Sequence, residues 1–135
     1  MNYQALFEAL GSHATAIGYH PTVADRLHQT LRHEGFPLAI ISYPQQTASD
    51  GVREVEKEFS VELKLLRENE VTPSARAEAL SLLMEDAERL AAALAEESAV
   101  REVAVMELSP VERMLTIVGE VAVALKLRIK TVECC

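Results

Sequence analysis

The chain has 135 residues, the size of one ordinary domain, and its 13 Lys and Arg against 21 Asp and Glu give a formal charge of −8. That balance speaks against a nucleic-acid-binding surface, which needs Lys and Arg clustered for phosphate, and every apolar run falls far short of the ~20 residues of a membrane-spanning helix. Hydrophobic residues make up 49% of the chain, but with no Trp, three Tyr and three Phe the core must come from Leu, Val, Ile and Ala.

The opening Met1-Asn2-Tyr3-Gln4 has neither the basic region nor the apolar stretch of a signal peptide, so a cytoplasmic location is expected. Tyr3, Leu6, Phe7, Leu10, Ala14 and Ile17 then recur every three or four residues, predicting a helix with Asn2 as its N-cap. Gly11 weakens the centre of that helix without ending it, and Gly18 and Pro21 break the pattern. A second helix is predicted over Val23–Glu34, with Thr22 as its cap and Gly35 as its end.

Pro37–Tyr43 reads as a strand buried on both faces, stopped by Pro44, and the polar Gln45–Gly51 as a turn. Arg53–Leu66 alternates with period two. Val55, Phe59, Val61, Leu63 and Leu65 share one face, where Lys57 is out of character, and Glu54, Glu56, Glu58, Ser60, Glu62 and Lys64 share the other. A strand of this length is expected to overhang a small sheet, so part of it could project as an arm.

Thr72-Pro73 opens a helix running to about Glu97, with Ala79, Leu83, Ala87, Leu90 and Leu94 along one face and Glu78, Glu85, Arg89 and Glu96 along the other. Val100–Leu108 is predicted as a strand ended by Ser109-Pro110, and 111–119 as a hairpin connection with some extended structure. Glu120–Val132 is a second alternating strand, with Val121, Val123, Leu125, Leu127 and Ile129 opposed to Ala122, Ala124, Lys126, Arg128 and Lys130. The expectation is one α+β domain over residues 1–135, in the order α-α-β-β-α-β-β. Its mainly antiparallel four-stranded sheet would pack against the helices, and 131–135 would be a flexible tail.

The outer face of the first long strand is acidic and that of the last is basic. Opposite charges on neighbouring strands attract by a few tenths of a kcal/mol per pair. Glu54, Glu56, Glu58 and Glu62 should therefore lie near Lys126, Arg128 and Lys130, either within one sheet or across a subunit boundary, which makes them candidate interface residues.

Residues suited to chemistry are sparse. His13, His20, His28 and His33 all lie in the first quarter, and the five-residue gap between His28 and His33 does not put them on one helical face. A metal site would need further ligands, with Asp25 and Glu34 the nearest in sequence. Cys134 and Cys135 are adjacent at the end of the chain, a spacing unlike a zinc site, and read as two free thiols. No Gly-rich phosphate loop, G-x-S-x-G elbow or H-E-x-x-H is present. No catalytic residue, metal or cofactor is therefore expected.

The succession of elements resembles the tail-terminator, or tail-completion, proteins of long-tailed bacteriophages and prophages. The segments that carry the resemblance are the amphipathic opening helix, Phe36–Tyr43 with its Pro before an apolar strand, the acidic alternating Glu54–Leu63, the long helix Pro73–Glu97 and the last pair of strands. The resemblance covers almost the whole chain. The helix over Val23–Glu34 departs from it, since a more extended approach to the first strand would match better. The resemblance implies a ring, a hexamer, that caps the tail tube, stops its growth and presents a surface to the head-connector proteins, with no catalysis and no sequence-specific nucleic acid. The alternative from the residues is a small intracellular protein-binding or adaptor domain, dimeric, using the same sheet.

Overall fold

The computed structural model of the chain describes residues 1–49 and 56–132. Helix α1 spans Tyr3–Ala16, and the Asn2 side chain caps it by accepting from the Ala5 N–H at 2.8 Å. Strand β1 (His20–Thr22) follows, then a 3-10 turn (Ala24–Arg26) that leads into helix α2 (Leu27–Glu34). Gly35, with φ of 77°, ends α2, and its N–H returns to the Leu31 carbonyl at 3.0 Å. Strands β2 (Leu38–Ile41), β3 (Gln45–Ser49) and β4 (Glu56–Glu68) come next. Helix α3 (Pro73–Ala95) has Pro at its first position and the Thr72 hydroxyl bonded to the Ala75 N–H. Strands β5 (Val100–Val111) and β6 (Glu120–Val132) complete the fold.

The sheet is mixed and six-stranded, in the order β1-β2-β4-β6-β5, with β3 also paired to β4. β4 and β6 lie at its centre, antiparallel and paired without interruption from Glu56↔Val132 to Glu68↔Glu120. Period-two alternation then sends Phe59, Val61, Leu63 and Leu65, with Val121 to Ile129, to one face, where the buried sides of α1 and α3 cover them. Each fully buried Leu in this layer contributes roughly 1.5–3 kcal/mol. A second, smaller cluster lies on the opposite face at the Leu66/Ala122 end, where α2 brings Leu27 onto Leu38, Ile40, Leu66 and Ala122. Between them the two clusters bury β2 on both sides. The rest of that opposite face, towards Glu56 and Val132, carries the charged residues.

The α+β class stands, while several details differ from the sequence reading. The sheet has six strands and is mixed, not a mainly antiparallel four-stranded one, and the order includes two further strands. His20–Thr22, where the sequence reading placed only a break at Pro21 and a cap at Thr22, is the parallel partner of β2. Pro21 fits there because an edge strand leaves one row of N–H groups unpaired. Gln45–Ser49, expected as a turn, is an edge strand against β4. Thr22 ends β1 instead of capping a helix, and α2 proper begins at Leu27.

β5 runs through Ser109-Pro110 to Val111 and, like β1, tolerates its proline as an edge strand. β4 is matched by β6 over all 13 of its residues, so no arm projects from its described part. Thr131 and Val132, expected in a free tail, are the last residues of β6. Arg53, Glu54 and Val55, and Cys134 and Cys135, lie outside the described residues.

Candidate assembly surface

The expected charge pairing forms within the chain. The outer face carries three columns, acidic on β5, basic on β6 and acidic on β4. Glu62 stands opposite Lys126 and Glu58 opposite Lys130 in register, with Glu107 and Glu102 on the far side of the same two lysines. The charged groups meet at 3.1 Å for Lys126–Glu107, 3.9 Å for Lys126–Glu62, 3.3 Å for Lys130–Glu102 and 3.6 Å for Arg128–Glu58. Glu56 binds Arg101 of β5 at 2.6 Å. The hydrogen bond and charge of Lys126 hold the Glu107 carboxyl below its usual value, and the same contact raises the Lys126 ammonium. These side chains are open to solvent to between 24% for Glu58 and 65% for Arg101, so each pair contributes little alone. Of the candidate interface residues, Glu56, Glu58, Glu62, Lys126, Arg128 and Lys130 are thus brought together on one face.

At the other end of β4 and β6 the chain builds a clasped loop. Glu120, the buried first residue of β6, accepts from the Leu115 N–H, the Thr116 N–H and the Thr116 hydroxyl, each at 2.8 Å. The Gly119 N–H closes the turn onto the Thr116 hydroxyl at 3.1 Å. Gly119 has φ of 83°, where a side chain is strained, and a Cβ there would lie 3.6 Å from Asn69 Nδ2 of the β4–α3 loop. One carboxylate therefore fixes the backbone of the connection. Leu115 packs against the smaller core cluster, but three other apolar side chains point outward: Ile117 is 85% exposed, Met114 67% and Val118 62%. The stretch is the hairpin connection expected there, with Val111 still in the strand; the clasp itself was not foreseen, although an acidic residue directly after a glycine and four residues after a threonine carries the signal.

A third arrangement lies inside the molecule. Asp86 is 8% exposed on the apolar side of α3 and accepts from the Tyr19 hydroxyl at 2.6 Å and from Arg67 Nη2 at 3.2 Å. Arg89, one turn on, approaches at 3.6 Å. The Arg67 guanidinium lies over the Tyr19 ring, 5.6 Å from its centroid, and its buried Nε has no hydrogen-bond partner among the described residues. Burial first, then the bond to Asp86, pushes the Tyr19 phenol well above its ordinary value. The spacing Leu83–Asp86–Leu90 puts Asp86 on the buried stripe of α3.

The histidines are dispersed. His13 Nε2 meets Glu97 at 2.8 Å and ties the end of α1 to the end of α3, while His20 lies 3.8 Å from Glu34. Among the described residues no group of three or more His, Cys, Asp or Glu is placed to hold a metal ion, and no helix is long and apolar enough to cross a membrane. Comparison of the chain with protein-family models finds no match, and comparison with curated proteins finds none either.

Proposed function

We propose that this chain is a structural assembly protein of a bacteriophage or prophage tail, forming a ring, a hexamer, that ends the tail tube and joins it to the head. The observation that supports this best is the clasped loop. A buried carboxylate and three donors hold a short turn rigid, and the turn presents Met114, Ile117 and Val118 to solvent. Adjacent exposed apolar side chains stabilise nothing in an isolated chain and mark contact with another protein. Rigidity there lowers the ordering cost of that contact.

The pattern of elements adds to this reading, since the resemblance to tail-terminator proteins extends over nearly the whole chain. The chain acts by assembly and not by catalysis, needs no cofactor, and takes tail-tube and head-connector proteins as partners. Its charge of −8 would let DNA pass through a ring without adhering.

Size-exclusion chromatography with light scattering, followed by negative-stain microscopy, tests the reading. The expected result is a concentration-dependent species of ring mass with a central opening. A particle that stays monomeric at high concentration and at several salt strengths would overturn it, and a closed dimer would favour the adaptor alternative.

A further inference from the structure

An open hollow of about 340 Å³ lies at the β1 edge of the sheet, between α1 and the turn that precedes α2. Its apolar lining comes from Phe7, Gly11, Pro21, Val23 and Ile41. Phe7 is held in place by stacking on Tyr43, ring centroids 5.1 Å apart. The volume is at the small end for a ligand pocket and suits a few aliphatic side chains.

Gly11 gives the hollow its meaning. It stands inside α1, where glycine costs about 1 kcal/mol relative to alanine. A Cβ at that position would meet Pro21 at 3.9 Å, an ordinary van der Waals contact. Packing within the chain therefore does not require glycine there. What glycine does is leave the hollow open towards α1.

We propose, resting on the ring-forming reading above, that this hollow receives the Ile117–Val118 tip of a second copy of the chain, head to tail. The two features suit each other in chemistry and in rigidity: an aliphatic knob on a clasped loop and an aliphatic socket between packed elements. Charge agrees as well. Exposed Glu8 and Arg26 line the hollow, and exposed Glu112 and Arg113 flank the tip, so each side offers one acid and one base to the other. The hollow opens beside β1, and the tip joins β6 to β5, the opposite edge of the sheet. A tip seated in a hollow therefore links separate copies. Every copy offers one of each, so the contact repeats and closes into a ring wherever its rotation allows.

Two variants test this without disturbing the fold. Ile117→Asp with Val118→Asp changes side chains that are already in solvent and leaves the Glu120 clasp, which uses other groups, intact. Gly11→Met fills the hollow and favours the helix, so its melting temperature should be no lower than the native one. Each is expected to weaken association roughly a hundredfold to ten-thousandfold, the scale of losing two buried aliphatic side chains, and to run as a monomer. Mixed together they should form a capped heterodimer and nothing larger, because one intact tip and one intact hollow remain.

A native ring of unchanged size in either variant would overturn the contact and leave the ring reading standing. Failure of the two monomeric variants to pair at the highest workable concentration would overturn the head-to-tail arrangement. A native chain that is monomeric throughout would overturn both this contact and the ring.

Discussion

Asp86 stands where the stripe of α3 would otherwise carry an apolar side chain, and its partners explain how it is tolerated. The carboxylate takes the Tyr19 hydroxyl and Arg67 together, so one buried group ties the residue before β1, the end of β4 and the middle of α3. Asp86→Ala leaves both donors unsatisfied and should cost about 2 kcal/mol net of the gain in helix propensity, whereas Tyr19→Phe removes one bond and should cost about 1 kcal/mol. Urea unfolding checks the order; equal costs would mean that Arg67 contributes nothing to the cluster. Tyr19 also sets a pH dependence. Its phenol is raised in the folded chain, so the fold holds the proton more tightly than the unfolded chain does. The stabilisation is complete below the ordinary phenol value of about 10 and is lost as pH rises from there towards the folded value. The stability difference between the native chain and Tyr19→Phe should therefore be flat to about pH 10 and shrink above it. A difference that stays constant through alkaline pH would show that the hydroxyl is not held in this way.

At the scale of elements, β4 and β6 make the ladder that the alternating sequence foretold. Arg128→Glu sets a carboxylate beside Glu58 and should destabilise by about 1 kcal/mol at low salt and less at high salt. Adding Glu58→Arg should restore most of the loss, and a double-mutant cycle with no coupling energy would mean that the columns are neighbours without interaction. The ladder was legible because these two strands are central, with one face on the core and one in solvent, so burial writes itself into the sequence with period two. β1 and β3 are edge strands: three residues around Pro21, and the polar Gln45–Ser49 with its irregular register. Their pairing rests on backbone groups, which leave no side-chain pattern to read. The clasp was missed for a related reason. It depends on a carboxylate reaching back over four residues to backbone N–H groups, and hydrophobic periodicity does not register that. Asp86 carried no expectation, because only the contact with Tyr19, 67 residues away in sequence, makes its burial reasonable.

At the scale of the whole molecule, the two surfaces that could join copies obey different physics. On the outer sheet face acids and bases already neutralise one another column by column, so re-pairing them between copies gains little. Much of the excess negative charge lies elsewhere, as on α3 and the turn that follows it, where Glu78, Glu85, Glu88, Glu96 and Glu97 outnumber Arg76 and Arg89. Copies brought together by the apolar tip must overcome that repulsion. Raising the ionic strength from about 0.1 to 1 M shortens the screening length from roughly 10 to 3 Å. Assembly through the tip and hollow should then hold or strengthen, because salt relieves the repulsion and leaves the apolar contact in place. Assembly through exchanged ion pairs on β4 and β6 should instead weaken. Cooling adds a second criterion, since apolar association fades at low temperature while ion pairs do not follow that trend. Light scattering across salt and temperature therefore separates the two surfaces. Particles that fall apart in salt and persist in the cold would move the contact from the clasped loop to the charged strands.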